Sequence, residues 1–368
     1  MPDMEDQYLF VGTYTKKEGH VDGKGKGIEI LKWNESPPSL KKHFTIEGPV
    51  NPSYIALHPV HSVVYTVNEI ADATDDFIGV IEAYRYDLEN RTSHRISRVS
   101  SMGDAPCHVS ISNDSRFLFV ANYVGGTIAA YNILPDGSIG ERVHFHQNIK
   151  RTPSSPRQDG SHPHMIRQLP NSNIVLVSDL GTDQLLKFEL DQNGSMQITD
   201  SLEIGTSLGS RHFDFHPTES IIYVLNELIP SVTAVDISNL NRLEILEHIE
   251  IPKDKAQSVI NSSAIKVHPS GNALFIALRG ISDTEQNALM SVALDIDGKM
   301  EIQQQISSFG EIPRDFEIDP SGKFVVLGNQ NTDQVVIYEL STDYQLKMLS
   351  DTTHVNTPVC FRWFNSSK

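Results

Sequence analysis

Arg211, Arg279, Arg314, Glu69, Glu227 and His164 stand at two fixed offsets of a phrase that recurs along the chain. Arginines converging on a cleft hold a carboxylate or phosphate through paired hydrogen bonds, and they stay charged at any relevant pH. A histidine titrates near neutrality and can take a proton from water or from a substrate carbon or hydroxyl. A glutamate among arginines is ionised and orients them, or itself serves as acid or base. Such a set suits an anionic small molecule undergoing acyl or proton-transfer chemistry, with an arginine stabilising a developing oxyanion. The alternative is a group of salt bridges that only packs a channel.

The phrase is a strand, a polar turn and a second strand. Its most regular copy is Ala105–Val124 (APCHVSISNDSRFLFVANYV), and others begin at Asn51, His162, Gly209, Asn261 and Ile312. Aligning the copies on Pro52, Pro106, Pro163, Ser210, Ser262 and Pro313 brings Asn68, Asn122, Asp179, Asn226, Leu278 and Asn329 into one column, sixteen residues on. Copies 47 to 57 residues apart predict four-stranded propeller blades. A seventh anchor, Pro358, leaves too little chain for a partner strand, but Tyr8–Tyr14 (YLFVGTY) reads like Phe117–Tyr123 (FLFVANY). The expected fold is all-β: one seven-bladed propeller domain of four-stranded antiparallel blades over residues 1–368. The N- and C-terminal strands share a blade and close the ring, which removes a free sheet edge. Residues 1–6 are expected as a disordered tail.

In such a ring the strand nearest the axis starts at one mouth of the central channel. One position past the anchor, the column reads Ser53, Cys107, His164, Arg211, Ser263, Arg314 and Val359. Seventeen past, it reads Glu69, Tyr123, Leu180, Glu227, Arg279 and Gln330, with Tyr14 in the closing blade. Structural columns repeat their residue, whereas these two differ from copy to copy. That places a site in the channel. His58, His216 and His268 share a column before Pro and the turn, so they read as architecture. His108 and His212 follow the first ring position and, by strand alternation, are expected to turn away from it.

A formal charge of −17 argues against nucleic acid and against an acidic membrane surface. No apolar run approaches a membrane span, and the acidic start Met1–Asp6 lacks the features of a signal peptide. Cys107 and Cys360 fit buried, reduced thiols, so a cytoplasmic protein is expected. The Gly- and Lys-rich stretch Lys16–Gly27 lacks the G-x-x-x-x-G-K-[ST] order of a phosphate cradle and is expected as a mobile connection. Val80–Tyr86 is expected as an outer strand after the loop Ala71–Gly79. The longest irregular stretch, Asn148–Ser161, runs into His162-Pro-His164, where a functional loop is expected. Asp159, His162 and His164 make a weak metal-ligand set, and no metal or cofactor is expected. Activated water is expected as the nucleophile rather than a covalent serine.

RQDGSHPHMIR (157–167), SDLGTDQL (178–185), GSRHFDFHP (209–217), VLNEL (224–228) and PRDFEIDPSGKFVVLGNQNTDQVVIY (313–338) resemble the lactonase family of seven-bladed propellers. That family includes bacterial 6-phosphogluconolactonases and fungal carboxy-muconate lactonizing enzymes, and the resemblance runs from VGTYT (11–15) to TPVCFRW (357–363). It implies metal-independent chemistry on lactones or their open acids, with catalytic positions at His164 (His162 competing), Arg211, Glu227 and Arg279. Substrate contacts are expected from His162, Arg314, Arg157, Glu69 and Gln330. The reading is a hydrolase of an anionic sugar lactone, 6-phosphogluconolactone first, acting in carbohydrate metabolism as a monomer or homodimer. A cycloisomerase acting on a muconate-like diacid would use the same residues. A non-enzymatic propeller binding protein partners is the reading from a different class.

Overall fold

The computed structural model describes residues 6–19, 21–70, 79–148, 155–252 and 259–365. Most of the expected tail and of the loop Ala71–Gly79 lies outside them, as do residues 149–154 of the stretch Asn148–Ser161. The second strand of each repeat is mostly apolar because a blade buries both faces against its neighbours. Val63–Asn68, Phe117–Asn122 and Ile174–Asp179 bury every residue. A sheet with one wet face would alternate instead. The outermost strands, such as Ile139–Gln147 and Glu244–Glu250, face solvent along much of their length.

Seven four-stranded antiparallel sheets surround the axis, each running from an inner strand outward. The inner strands of blades 1 to 6 are Tyr54–Leu57, Pro106–Ile111, Pro163–Gln168, Ser210–Phe215, Ile260–Val267 and Pro313–Ile318. Blade 7 takes its inner strand, Pro358–Asn365, from the end of the chain and its second, Gln7–Thr13, from the start, followed by Gly27–Glu35 and Pro38–Glu47. The closing pair is in register from Gln7 opposite Asn365 to Gly12 opposite Cys360. Gly12 is needed there, since a Cβ would stand 2.3 Å from the Pro52 carbonyl oxygen of blade 1.

Two connections differ from expectation. Val80–Asp87 is the third strand of blade 1, with Thr92–Ser100 outside it. Within Lys16–Gly27, Lys17–Glu18 pairs with Val21–Asp22 as a small hairpin, which Lys24 ties to Asp333 at 2.7 Å. The repeated histidines are architectural. Nδ1 of His58 and of His216 accepts turn amides, while Nε2 of His216 and of His268 lies 2.9 Å from a glycine carbonyl of the following blade, Gly271 and Gly322.

The feature that shapes the channel is a bulge at the start of the inner strand. In blades 2 to 6 the pairing slips between the anchor and the residue two beyond it, as between Pro106 and His108. The unpaired residues are Cys107, His164, Arg211, Ser263 and Arg314. A bulge inserts a residue and re-aims its side chain. His108 and His212 therefore do not turn away, which corrects the alternation expected of them. Their rings lie 6.2 Å apart although they belong to blades 2 and 4, so the contact crosses the axis. Tyr54 of blade 1 joins them, 4.1 Å from His108 and 6.0 Å from His212.

Phe10, fully buried in the closing blade, packs on Tyr86 of blade 1 and on Phe364 of the C-terminal strand, with centroids 4.9 and 6.2 Å away. Phe10→Ala is expected to cost about 3–5 kcal/mol in urea unfolding, more than an exposed outer-strand change such as Ile198→Ala.

Candidate active site at one mouth of the channel

Glu227 follows directly on the second strand of blade 4 (Ile221–Asn226), is buried, and gathers three guanidinium groups. Arg211 Nε donates to its Oε2 at 2.8 Å, and Arg157 Nη2 donates to its Oε1 at 3.1 Å. Arg279 Nη2 pairs with Oε1 at 3.1 Å while donating to the Ser262 carbonyl at 3.0 Å. Arg211 also donates through Nη1 to the Ser263 carbonyl of the next blade and lies beside the His212 ring. Across the mouth, Arg314 reaches the Tyr14 hydroxyl at 3.2 Å and lies 3.9 Å from Glu69. Four guanidinium groups thus face two carboxylates, a positive mouth on a strongly acidic chain. Nε of Arg279 is buried without a hydrogen-bond partner among the described residues.

The two candidate histidines are held differently. His162 has both ring nitrogens engaged, Nδ1 at 2.8 Å from the Tyr123 carbonyl and Nε2 at 2.9 Å from Asp159. Its ring stacks on Tyr123 at 4.7 Å. His164 is a bulged residue, buried, with Cys107 Sγ at 3.9 Å from Nδ1 and the rings of His212 and Tyr123 at 5.2 and 5.4 Å. Its Nε2 has no hydrogen-bond partner among the described residues. Arg157 arches over from the loop before blade 3 and also donates to the Tyr123 hydroxyl at 2.9 Å. Gln330 Nε2 donates to Asn331 rather than to the arginine cluster, and with Lys17, Val21 and Lys24 it lines a side cleft of about 490 Å³. Among the described residues no three His, Cys, Asp or Glu side chains form a metal-holding group.

Burial opposes ionisation of Glu227, but Arg279, Arg211 and Arg157 outweigh it and hold its carboxyl well below the usual carboxylate range. Burial draws Arg279 down to about 9, with Glu227 opposing, so it remains a cation at neutral pH. Burial and the neighbouring Arg211 push His164 well below the ordinary histidine value, against the pull of Glu227. Burial likewise lowers His212 and His108. The Cys107 thiol is raised by burial and by Glu69, so it stays protonated. What results is a cationic pocket beside a neutral, unprotonated imidazole.

Of the residues expected at the site, Arg211, Glu227, Arg279 and Arg157 are in direct contact, and Arg314 and Glu69 form a second group across the mouth. His164 lies in the field of both groups. His162 braces the loop, and Gln330 sits to one side. Tyr14, Tyr123 and His212 complete the mouth and were not among the expected site residues. The two tyrosines already stood in the variable column, whereas the bulge that redirects His212 has no sequence signal of its own.

Across residues 8–363 the chain matches the family described as lactonase, 7-bladed beta-propeller. It belongs to that family of lactonases, enzymes that act on cyclic esters. It is 28% identical over 358 residues to a Bacillus subtilis protein named 6-phosphogluconolactonase, covering 97% of this chain and 98% of that one. A Formosa agariphila protein of the same name is 26% identical over 364 residues, 98% and 100% of the two chains. Among solved structures, the periplasmic gluconolactonase of Pseudomonas aeruginosa has a TM-score of 0.87 at 26% identity, covering 97% of this chain and 99% of that one. A Lactobacillus plantarum protein has a TM-score of 0.88 at 28% identity, over 98% and 100%. The reading as a non-enzymatic propeller is thereby set aside. Among the described residues no helix is long and apolar enough to cross a membrane.

The three channel histidines give a pH signature. Each is neutral in the folded protein below the pH at which its unfolded counterpart protonates, so the unfolded state binds more protons there. Stability is then complete above the unfolded value of 6.5 and falls as pH drops below it, by about 1.4 kcal/mol per pH unit for each histidine. Urea midpoints measured from pH 7.5 to 5 should fall in this window, and His108→Gln with His212→Gln should flatten the slope. Loss of Glu227 ionisation belongs to a separate window, below its ordinary value of 4.5.

Proposed function

We propose that this lactonase hydrolyses an anionic sugar lactone, 6-phosphogluconolactone foremost, at the mouth around Glu227. The observation that supports this most is the neutral His164 imidazole held beside a cluster of buried guanidinium groups. The names of the relatives, 6-phosphogluconolactonase and gluconolactonase, support the sugar lactone as substrate class.

His164 acts as general base. It takes a proton from water as the water oxygen bonds to the lactone carbonyl carbon. Negative charge builds on the carbonyl oxygen, where Arg279, with its unpartnered Nε, donates. The ring C–O bond then breaks, and the leaving alkoxide takes the proton back from His164. The acid product ionises and releases a proton to solvent. The lowered basicity of His164 suits the return step, since an imidazolium among arginines gives up its proton readily. Glu227 stays ionised and fixes Arg211 and Arg279, while Arg157 and Arg314 hold the anionic substituent. A cytoplasmic setting fits Cys107 and Cys360, both free thiols.

The test follows acid release from freshly made 6-phosphogluconolactone above its spontaneous opening. His164→Ala is expected to lower kcat by about 10²–10⁴-fold with little change in KM. Arg279→Ala should lower kcat by about 10²–10³-fold, and the acid limb of kcat/KM should lie below pH 6.5, since burial lowers His164. Wild-type kinetics in both variants would falsify the assignment of this mouth.

A further inference from the structure

The opposite mouth of the channel carries a second set of charges that the lactone reaction does not use. Four positions past each anchor, the inner strands place Ala56, Ser110, Arg167, Asp214, Lys266, Glu317 and Arg362 around a cavity of about 460 Å³. From blade 3 to blade 7 the signs alternate, beginning and ending on arginine. Arg167 Nη1 lies 2.8 Å from Asp214, Lys266 Nζ lies 3.0 Å from Glu317, and Arg362 Nη1 lies 3.4 Å from the same Glu317. Asp315, one layer deeper, adds a carboxylate 3.9 Å from Arg362, also on the blade 6 side. Each terminal arginine therefore has carboxylates on one flank only. Between their other flanks stand blades 1 and 2, whose contributions, Ala56 and Ser110, are small and uncharged. The Ser110 hydroxyl is already spent on the Ile166 carbonyl at 2.6 Å.

Beside this gap is His108, 1% exposed and also lining the cavity. Its Nδ1 accepts from the Ile166 amide at 3.4 Å, which puts the imidazole proton on Nε2. That Nε2 is buried and has no acceptor among the described residues. A buried donor without an acceptor is costly, and such groups usually mark a missing partner. After burial itself, Arg362 and Arg167 are the largest influences that lower His108, so the ring lies in the positive field of both.

We propose that this mouth is a binding site for a small oxyanion, a phosphate or a carboxylate, which sits between Arg362 and Arg167 over Ala56 and Ser110. The anion supplies the negative member that the alternating ring lacks and the acceptor that His108 Nε2 lacks. It is separated from the lactone site by the Tyr54, His108 and His212 rings, so the anion and the lactone occupy different mouths.

Calorimetric titration of the full chain at low ionic strength, first with inorganic phosphate and then with acetate, tests this. Arg279→Gln serves as the background, to disable the lactone mouth. At least one of the two anions is expected to bind that protein, and which one binds identifies a phosphate or a carboxylate site. Adding Arg167→Gln, a partly exposed change, should weaken binding about tenfold or more. Adding Ala56→Glu instead, which places a carboxylate in the gap, should abolish binding and raise the thermal midpoint. Absence of binding by both anions, or a Kd unchanged by Arg167→Gln, overturns the proposal. If Ala56→Glu does not fold, the Arg167→Gln comparison decides alone.

Discussion

One extra residue at the start of the inner strands of blades 2 to 6 governs what the channel holds. Without the bulge, strand alternation would send one of every two neighbouring residues into the blade. With it, consecutive residues such as Arg211 and His212, or Cys107 and His108, both face the axis. The channel thereby gains a layer of rings directly beneath a layer of charges, within the length of a single dipeptide. His164 lies within 5.2 Å of the His212 ring and in the field of Arg211 because of this crowding.

Burying this much charge does little for stability. Paired ions removed from water lose hydration that their attraction only partly restores. Each guanidinium group here is therefore held by more than its carboxylate. Arg211 has the Ser263 carbonyl, Arg279 the Ser262 carbonyl, and Arg157 the Tyr123 hydroxyl. These partners come from the inner strand of blade 5 and from Tyr123 of blade 2, so the geometry of the cluster depends on how those blades are positioned. Closing the ring with the first and last strands is what makes those positions rigid.

The architecture was legible because a propeller writes its fold six times over. The anchor, the turn and the asparagine column each recur, and blade closure follows from Tyr8–Tyr14 echoing Phe117–Tyr123. The arginine cluster was legible for the opposite reason, as disagreement within columns that should agree. What escaped depended on backbone irregularity or on hydrogen bonding. Alternation misplaced His108 and His212, since a bulge has no residue signature here beyond its place after the anchor. His162 and His164 could not be separated by spacing. Only the two hydrogen bonds to the His162 ring separate it from His164, whose Nε2 has no partner among the described residues. The alternating charges of the far mouth lie in a column that the sequence reading did not follow.

The rings of Tyr54, His108 and His212 meet on the axis from blades 1, 2 and 4, so the barrel of the propeller is stoppered rather than open from end to end. Under the function proposed above, the acid formed at the Glu227 mouth would have no rear exit. It would leave by the doorway through which the lactone enters, before a second lactone could be seated. The acid, carrying a new carboxylate among four arginines, would then be a competitive occupant of its own site.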